Sequence, residues 1–334
     1  MTPDDLCELL GTPFSDQQLA AITAPLEPGV IVAGAGSGKT TAMAARVVWL
    51  IATGQVRPEQ VLGLTFTRKA ANELDIRIRE DLTRAGIMRA GILAGAAGVS
   101  ASGSSVRSCP PGSQSPTGSL QVEQLQTDEP GEPVVSTYHA FAGALITEHG
   151  LRLGLEPDLR LLADATRYQL AGAVVRRSAG PIRFASHHTP TLVNYLLALD
   201  GELADHLVRA DDVRAFDEAV RAEAATAAKQ TLDVRKLAET ALKRRDILQL
   251  VEEYQAYKGD RGVLDFADQM ALGARLAEEC PEVAAIERDR FRVVLLDEYQ
   301  DTSVSQRRML AVVGVAQQSL RRRARPARRA SIRA

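Results

Sequence analysis

The stretch VIVAGAGSGKTTAMAARV, residues 30–47, joins an apolar run to alternating glycines and then to a lysine and two threonines. These residue types in this order form a phosphate cradle. The strict pattern is Gly, four residues, then Gly-Lys-Ser/Thr. Here Ala33 takes the place of the leading glycine, and Gly34, Ala35, Gly36, Ser37, Gly38, Lys39 and Thr40 follow. Gly34, Gly36 and Gly38 let the backbone bend so that its N–H groups point inward. The N-terminus of the helix after them adds a partial positive charge. Lys39 has the reach to contact β- and γ-phosphates, and the Thr40 hydroxyl suits Mg²⁺.

Such a cradle needs an acid at the end of another buried strand. VVLLDEYQDT, residues 293–302, supplies it. Asp297 would hold Mg²⁺, directly or through water. Glu298 would orient and deprotonate an attacking water. Gln300 would face the γ-phosphate. The cofactors read from the two segments are a nucleoside triphosphate and Mg²⁺.

The elements that must position these residues follow from periodicity. GVIVAGAG reads as strand then loop, TTAMAARVVWLIATG as a helix ending at Gly54, VLGLTFT as a strand and RKAANELDIRIREDL as a charged helix. Alternation of this kind is the signature of a parallel α/β sheet. Continuous apolarity in FRVVLL fits a central parallel strand, buried on both faces. PVVSTYHAFAGALITEHG reads as strand, turn and helix. Residues 84–133 are rich in Gly, Ser, Ala and Pro and read as a flexible low-complexity insertion. Residues 156–260 are helical in period.

Composition sets limits on the rest. The chain has 334 residues, 45% hydrophobic and 25% charged. At about 150 residues per domain, that length suggests two domains. Cys7, Cys109 and Cys280 are too scattered for a metal site or a disulfide framework, which points to a reducing cytoplasm. The start, MTPDDLCELLGTPF, lacks the basic and apolar regions of a signal peptide, and no apolar run approaches a membrane span. SLRRRARPARRASIRA, at the end, holds seven arginines; taking their charge from the net −2 leaves the rest at a formal −9. Any nucleic-acid contact by the globular part must therefore come from a local patch.

AGAGSGKTT and LLDEYQDT together resemble the nucleotide motifs of the UvrD/Rep/PcrA-like superfamily 1A DNA helicases. Four further stretches are similar to that family's motifs, in order: FSDQQLAAI, LTFTRKAANEL, VSTYHAF and LDFADQM. The Ala-, Arg- and Val-rich composition also resembles the actinobacterial helicase subunits of AdnAB-type helicase–nucleases. The resemblance implies ATP-driven 3′ to 5′ movement on single-stranded DNA in repair or recombination. It makes ATP and Mg²⁺ the cofactors, with Gln18 reading the adenine, and DNA the partner, with a second helicase–nuclease subunit as a further one. It implies a RecA-like P-loop NTPase domain 1A over residues 1–155 and 261–313, with an all-α domain 1B over 156–260 inserted.

DNA contacts are expected from LTFTRKAANEL and VSTYHAF. Phe66, at the end of a parallel strand where ligands gather, stacks on a base or fills the core. Pattern alone leaves both open, and the resemblance favours DNA. Thr65, Thr67 and Arg68, with the following helix N-terminus, would take phosphates, and His139 would do so on the next strand.

Departures from the family are Ala33, Ala267 and Gln269, and the insertion has no family counterpart. The family continues past DEYQDT into a second motor domain, whereas residues 314–334 turn into an Arg-rich tail. The tail reads either as a basic arm for nucleic acid or as an out-of-frame or truncated end, the second being favoured. That expectation makes the chain a weak nucleotide binder with little unwinding of its own. A nucleotide-gated single-stranded-DNA-binding module or an inactive fragment is the alternative.

Overall fold

A computed structural model describes residues 1–34, 36–87, 131–156, 159–178, 180, 182–227 and 229–314. The insertion expected at 84–133 falls outside them from 88 to 130, and the tail from 315 onward. Met1–Pro25, Ile31–Glu59 and Leu74–Pro133 form one compact unit; Leu26–Val30, Gln60–Glu73 and Val134–Ala334 form the other.

The first unit opens with two short capped helices. In α1 (Pro3–Leu10) the Thr2 hydroxyl accepts from Asp5 N–H while the Asp5 carboxylate accepts from Thr2 N–H; Gly11 ends the helix at φ 61°. In α2 (Asp16–Ile22) Ser15 and Gln18 make the same reciprocal pair. Then α3 (Lys39–Ala52) presents Ala44, Ala45, Val47, Val48 and Leu50 to a dry interior. Its small residues let α2 pack closely. The chain continues into α4 (Arg68–Arg84), whose C-terminal part gives this unit Leu74, Ile78 and Leu82. Their i, i+4, i+8 spacing makes one buried stripe.

The apolar run before the cradle departs from expectation. Residues 28–34 form no strand, and Val30 and Val32 are 80% and 92% exposed. Continuous apolarity signals a place between two neighbours but does not say which segments those are. No described segment offers this run a ladder.

In the second unit β1 (Val61–Thr65) lies between β2 (Val134–Thr137) and the later strand Val293–Leu296, all parallel. Every residue of β1 is buried, as a central strand requires. A two-stranded ladder joins β3 (Arg160–Leu161) to β4 (Val263–Leu264), which makes Val293–Leu296 β5. β5 was expected to be central; among the described strands it is an edge, with Val293 buried and the other three half-buried. α5 (Tyr138–His149) follows β2 directly, its first turn capped by the Thr137 hydroxyl.

The helical segment comprises α6 (Asp164–Arg177), α7 (Thr189–His206), α8 (Ala210–Thr226) and the 28-residue α9 (Leu232–Gly259). Leu192, Leu196, Leu248, Val251 and Tyr254 form its core. The chain returns through α10 (Phe266–Glu279), α11 (Pro281–Arg290) and, after β5, α12 (Val304–Met309). These three helices and α5 bury Phe141, Leu145, Met270, Leu276, Val283 and Met309 beside β1 residues Leu62 and Leu64.

A buried cation ties this unit together. Lys258, on α9, donates to Asp200 of α7 at 3.0 Å and to Asp265 at 3.2 Å. It lies 2.7 Å from Asp268 of α10, and Arg167 of α6 also reaches Asp265, at 3.1 Å. The acids of LDFADQM thus hold the return segment to the helices.

Candidate functional site

In the first unit the cradle is built from backbone that only glycine adopts easily. Gly36 and Gly38 stand at φ 75° and 77°. A Cβ on Gly38 would also lie 3.0 Å from Gln18 Nε2, so both conformation and space require glycine there. Ser37 closes the turn, its N–H and hydroxyl both donating to Gly34 O, at 3.4 and 2.7 Å. Lys39 and Thr40 are the first two residues of α3, both half-buried. Unlike α1 and α2, α3 has no side-chain cap and no acid in its first turn. The partial positive charge of this helix end thus meets no acid from its own first turn and suits an anion. Ala33 is half-buried, and Ala35 lies outside the described residues.

Gln18 is drawn to this loop. Its Oε1 accepts from Ser15 N–H at 2.9 Å and its Nε2 donates to Ser37 O at 3.1 Å. One amide hydrogen and one lone pair remain for a ligand. Two cations enter that sequence reasoning missed. Arg77, on α4, donates to the Thr41 hydroxyl beside Thr40. Arg46 donates from α3 to carbonyls at the end of α2. A charged residue inside the apolar face AMAARVVWL was the available signal for the second; the first left none.

In the second unit the three parallel strands end together. The register pairs Thr65 with Thr137 and Leu64 with Leu296. Residues 66–68, 138–139 and 297–301 are thereby gathered at the carboxyl edge, where α/β sheets bind ligands. Phe66 is half-buried, its ring 4.9 Å from that of Tyr138 and tilted by 49°. Thr65 is buried and its hydroxyl donates to Thr67 O at 3.1 Å. The Thr67 hydroxyl accepts from Ala70 N–H and caps α4. Both hydroxyls are thus engaged locally, while Arg68 is exposed at the helix start. His139 lies edge-on to Phe266 at 5.4 Å; burial pushes its pKa down against the pull of Asp205.

The acids occupy the same edge. Asp297 N–H donates to Leu64 O at 3.0 Å, extending the ladder by one residue. Glu298 stands in the left-handed region at φ 50°, ψ 38°. For a glutamate this conformation is strained, and such strain concentrates at functional sites. Gln300 Nε2 donates to Glu298 Oε2 and lies 3.4 Å from Asp301 Oδ2. Burial, with Asp297 and Tyr299 nearby, pushes the Tyr138 phenol well above its ordinary pKa. Its hydroxyl has no hydrogen-bond partner among the described residues.

No helix among the described residues is long and apolar enough to cross a membrane. A family model described as the UvrD/REP helicase N-terminal domain matches residues 14–320. DNA helicase II of Haemophilus influenzae is 23% identical over 310 residues, covering 92% of this chain and 33% of that protein. ATP-dependent DNA helicase UvrD1 of Mycobacterium leprae is 27% identical over 305 residues, 91% of this chain and 30% of that protein. DNA helicase IV of Escherichia coli is 48% identical over a shorter stretch of 71 residues. The chain spans about a third of the length of the first two relatives.

Proposed function

The chain belongs to the UvrD/REP helicase family, and from that premise we propose that it carries the nucleotide-binding part of an ATP-driven DNA helicase. The observation that supports this most is the glycine cradle running into the uncapped N-terminus of α3, with Gln18 hydrogen-bonded to its Ser37. In this reading the backbone at Ala33–Gly38 and the first turn of α3 take the phosphates, Lys39 neutralises the β and γ groups, and Gln18 reads adenine.

The Thr40 hydroxyl and the Asp297 carboxylate are hard oxygen donors of the kind Mg²⁺ takes. The ion would neutralise charge on the phosphates. The Glu298 carboxylate takes the proton of the attacking water, and Gln300 orients that water after leaving its present acid partners. Phe66 stacks on a base of single-stranded DNA; Arg68 and His139 hold its phosphates, and Thr65 and Thr67 shape the loop between them.

Movement in the 3′ to 5′ sense, a role in repair or recombination, and a helicase–nuclease subunit as partner rest on the sequence resemblance. A second reading, nucleotide-gated binding of single-stranded DNA without turnover, is favoured by the Phe66–Tyr138 pair, whose stacking needs no hydrolysis.

ATP hydrolysis by the purified chain, with and without single-stranded DNA, tests both. DNA-stimulated turnover that falls on the order of 10²–10³-fold in Lys39→Ala supports the first. Binding of ATP and DNA with no turnover supports the second. Failure to bind ATP refutes both.

A further inference from the structure

Arg46 lies seven residues beyond Lys39 on α3, two helical turns away from the phosphates. Its Nη1 donates to Ala21 O at 3.1 Å, Ile22 O at 3.1 Å and Ala24 O at 2.8 Å, and its Nη2 to Pro25 O at 3.0 Å. These four carbonyls lie at and just beyond the end of α2. Burial of the guanidinium pushes its pKa down, and no carboxylate among the described residues pairs with it. Met by carbonyl dipoles among the described residues, this half-buried cation holds those carbonyls in one arrangement.

α2 needs such a hold. It has seven residues, too short to be stable alone, and its last carbonyls lack helical donors. Its N-terminal end is fixed by the Ser15–Gln18 box, its C-terminal end by Arg46. Gln18 stands between them, with Nε2 on Ser37 O. The amide hydrogen and lone pair that remain suit the donor–acceptor edge of adenine, a bidentate contact sensitive to small displacements.

We propose that Arg46 is a positioning residue for base selection: by clamping the end of α2 to α3 it sets the height and angle at which Gln18 meets adenine. The proposal rests on the reading of Gln18 as the adenine contact. A planar fork serves this role and a lysine does not, because one ammonium cannot span four carbonyls in that geometry.

The test measures binding of ribose-labelled fluorescent ATP and GTP by anisotropy, which needs no turnover. The full-length chain is compared with Gln18→Ala, Arg46→Lys, Arg46→Ala and Gln18→Ala/Arg46→Ala, each checked for folding by circular dichroism. Gln18→Ala is expected to reduce the ATP-over-GTP preference by roughly tenfold, the discrimination of one bidentate base contact. Arg46→Lys is expected to reduce it comparably while GTP affinity stays within about twofold, and the double variant to add little, the non-additivity of coupled residues. Equal weakening of ATP and GTP in the Arg46 variants would overturn the proposal, leaving Arg46 a stabilising residue only. A preference lost in Gln18→Ala but kept in Arg46→Lys would also overturn it and leave the adenine reading standing. An unchanged preference in Gln18→Ala, or a wild-type chain that binds neither nucleotide, would remove the premise itself.

Discussion

Replacing Lys258 by methionine isolates the electrostatics of the second unit. The Lys258 side chain is 4% exposed, and its ammonium lies 2.7–3.2 Å from three carboxylates and 4.5 Å from the centre of the Tyr254 ring. Burial alone would push its pKa down, but Asp200, Asp268 and Asp265 outweigh burial and hold it up. Asp265 would be raised by burial, yet Lys258, the Asp268 backbone and Arg167 hold it below its usual range. Burial, helped by the like charge of Asp265, pushes Asp268 up to about 6 against the attraction of Lys258.

Methionine fills the space and leaves the acids without their main counterion. Breaking a buried pair in this way costs about 3–5 kcal/mol. The pH dependence then has a definite sign. Asp268 titrates at 3.8 unfolded and about 6 folded, so its contribution to stability is full below 3.8 and lost as pH rises through 6. Without the attraction of Lys258 the Asp268 carboxyl is pushed up further, so the variant loses more stability over the same interval. Urea unfolding followed by circular dichroism should show the full loss at pH 7.5, a shift of about 1–1.5 M in midpoint. The loss should be smaller by about 1–3 kcal/mol at pH 5. Adding Asp200→Asn should recover part of it at pH 7.5. A loss under about 1 kcal/mol, or one equal at both pH values, would refute the reasoning from a buried, charge-balanced cluster.

Glu298→Gly should be more stable than Glu298→Ala by about 1 kcal/mol, since only glycine is relaxed at φ 50°; both should lose hydrolysis, and equal midpoints would show that the strand end carries no strain. Tyr138→Phe should leave stability unchanged or raise it by up to about 1 kcal/mol in thermal unfolding, because the buried hydroxyl has no partner among the described residues; a clear loss would mean that the hydroxyl is satisfied in solution. Phe66→Leu keeps an apolar group beside Tyr138 and removes the stacking face, so single-stranded DNA affinity should fall by about 1–3 kcal/mol in anisotropy titrations; unchanged affinity would return Phe66 to the core.

What the sequence made legible was local. The helix after Lys39, its stop at Gly54, the strand Val61–Thr65 and the strand–helix junction at Thr137 follow from apolar period and capping residues that act within a few positions. The cradle was readable for the same reason, since glycine freedom and a helix start are local properties. Three features were not. The partner of an apolar run is a long-range fact, so residues 28–34 read as a strand without forming one. Lys258 falls in a polar, charge-rich helix and reads as solvated, because its acids at 200, 265 and 268 become neighbours only in the fold. The left-handed Glu298 carries no glycine to announce it.

The sheet's connectivity also dictates when the chain can assemble its chemistry. β1 must pair with β5, whose Leu296 lies some 230 positions after Leu64. The helices between are stabilised by nearer contacts and close first, since local structure costs less loop entropy. On a ribosome adding roughly 5–20 residues per second, β1, buried along its whole length in the fold, waits on the order of 10–50 s for that neighbour. During this interval its β5 side is an open edge, the kind of surface that chaperones cover and that aggregates when they do not. The acids after Leu296 reach the sheet in the same late event that covers this edge, so the carboxyl end of the sheet is completed only when the open side of β1 is buried.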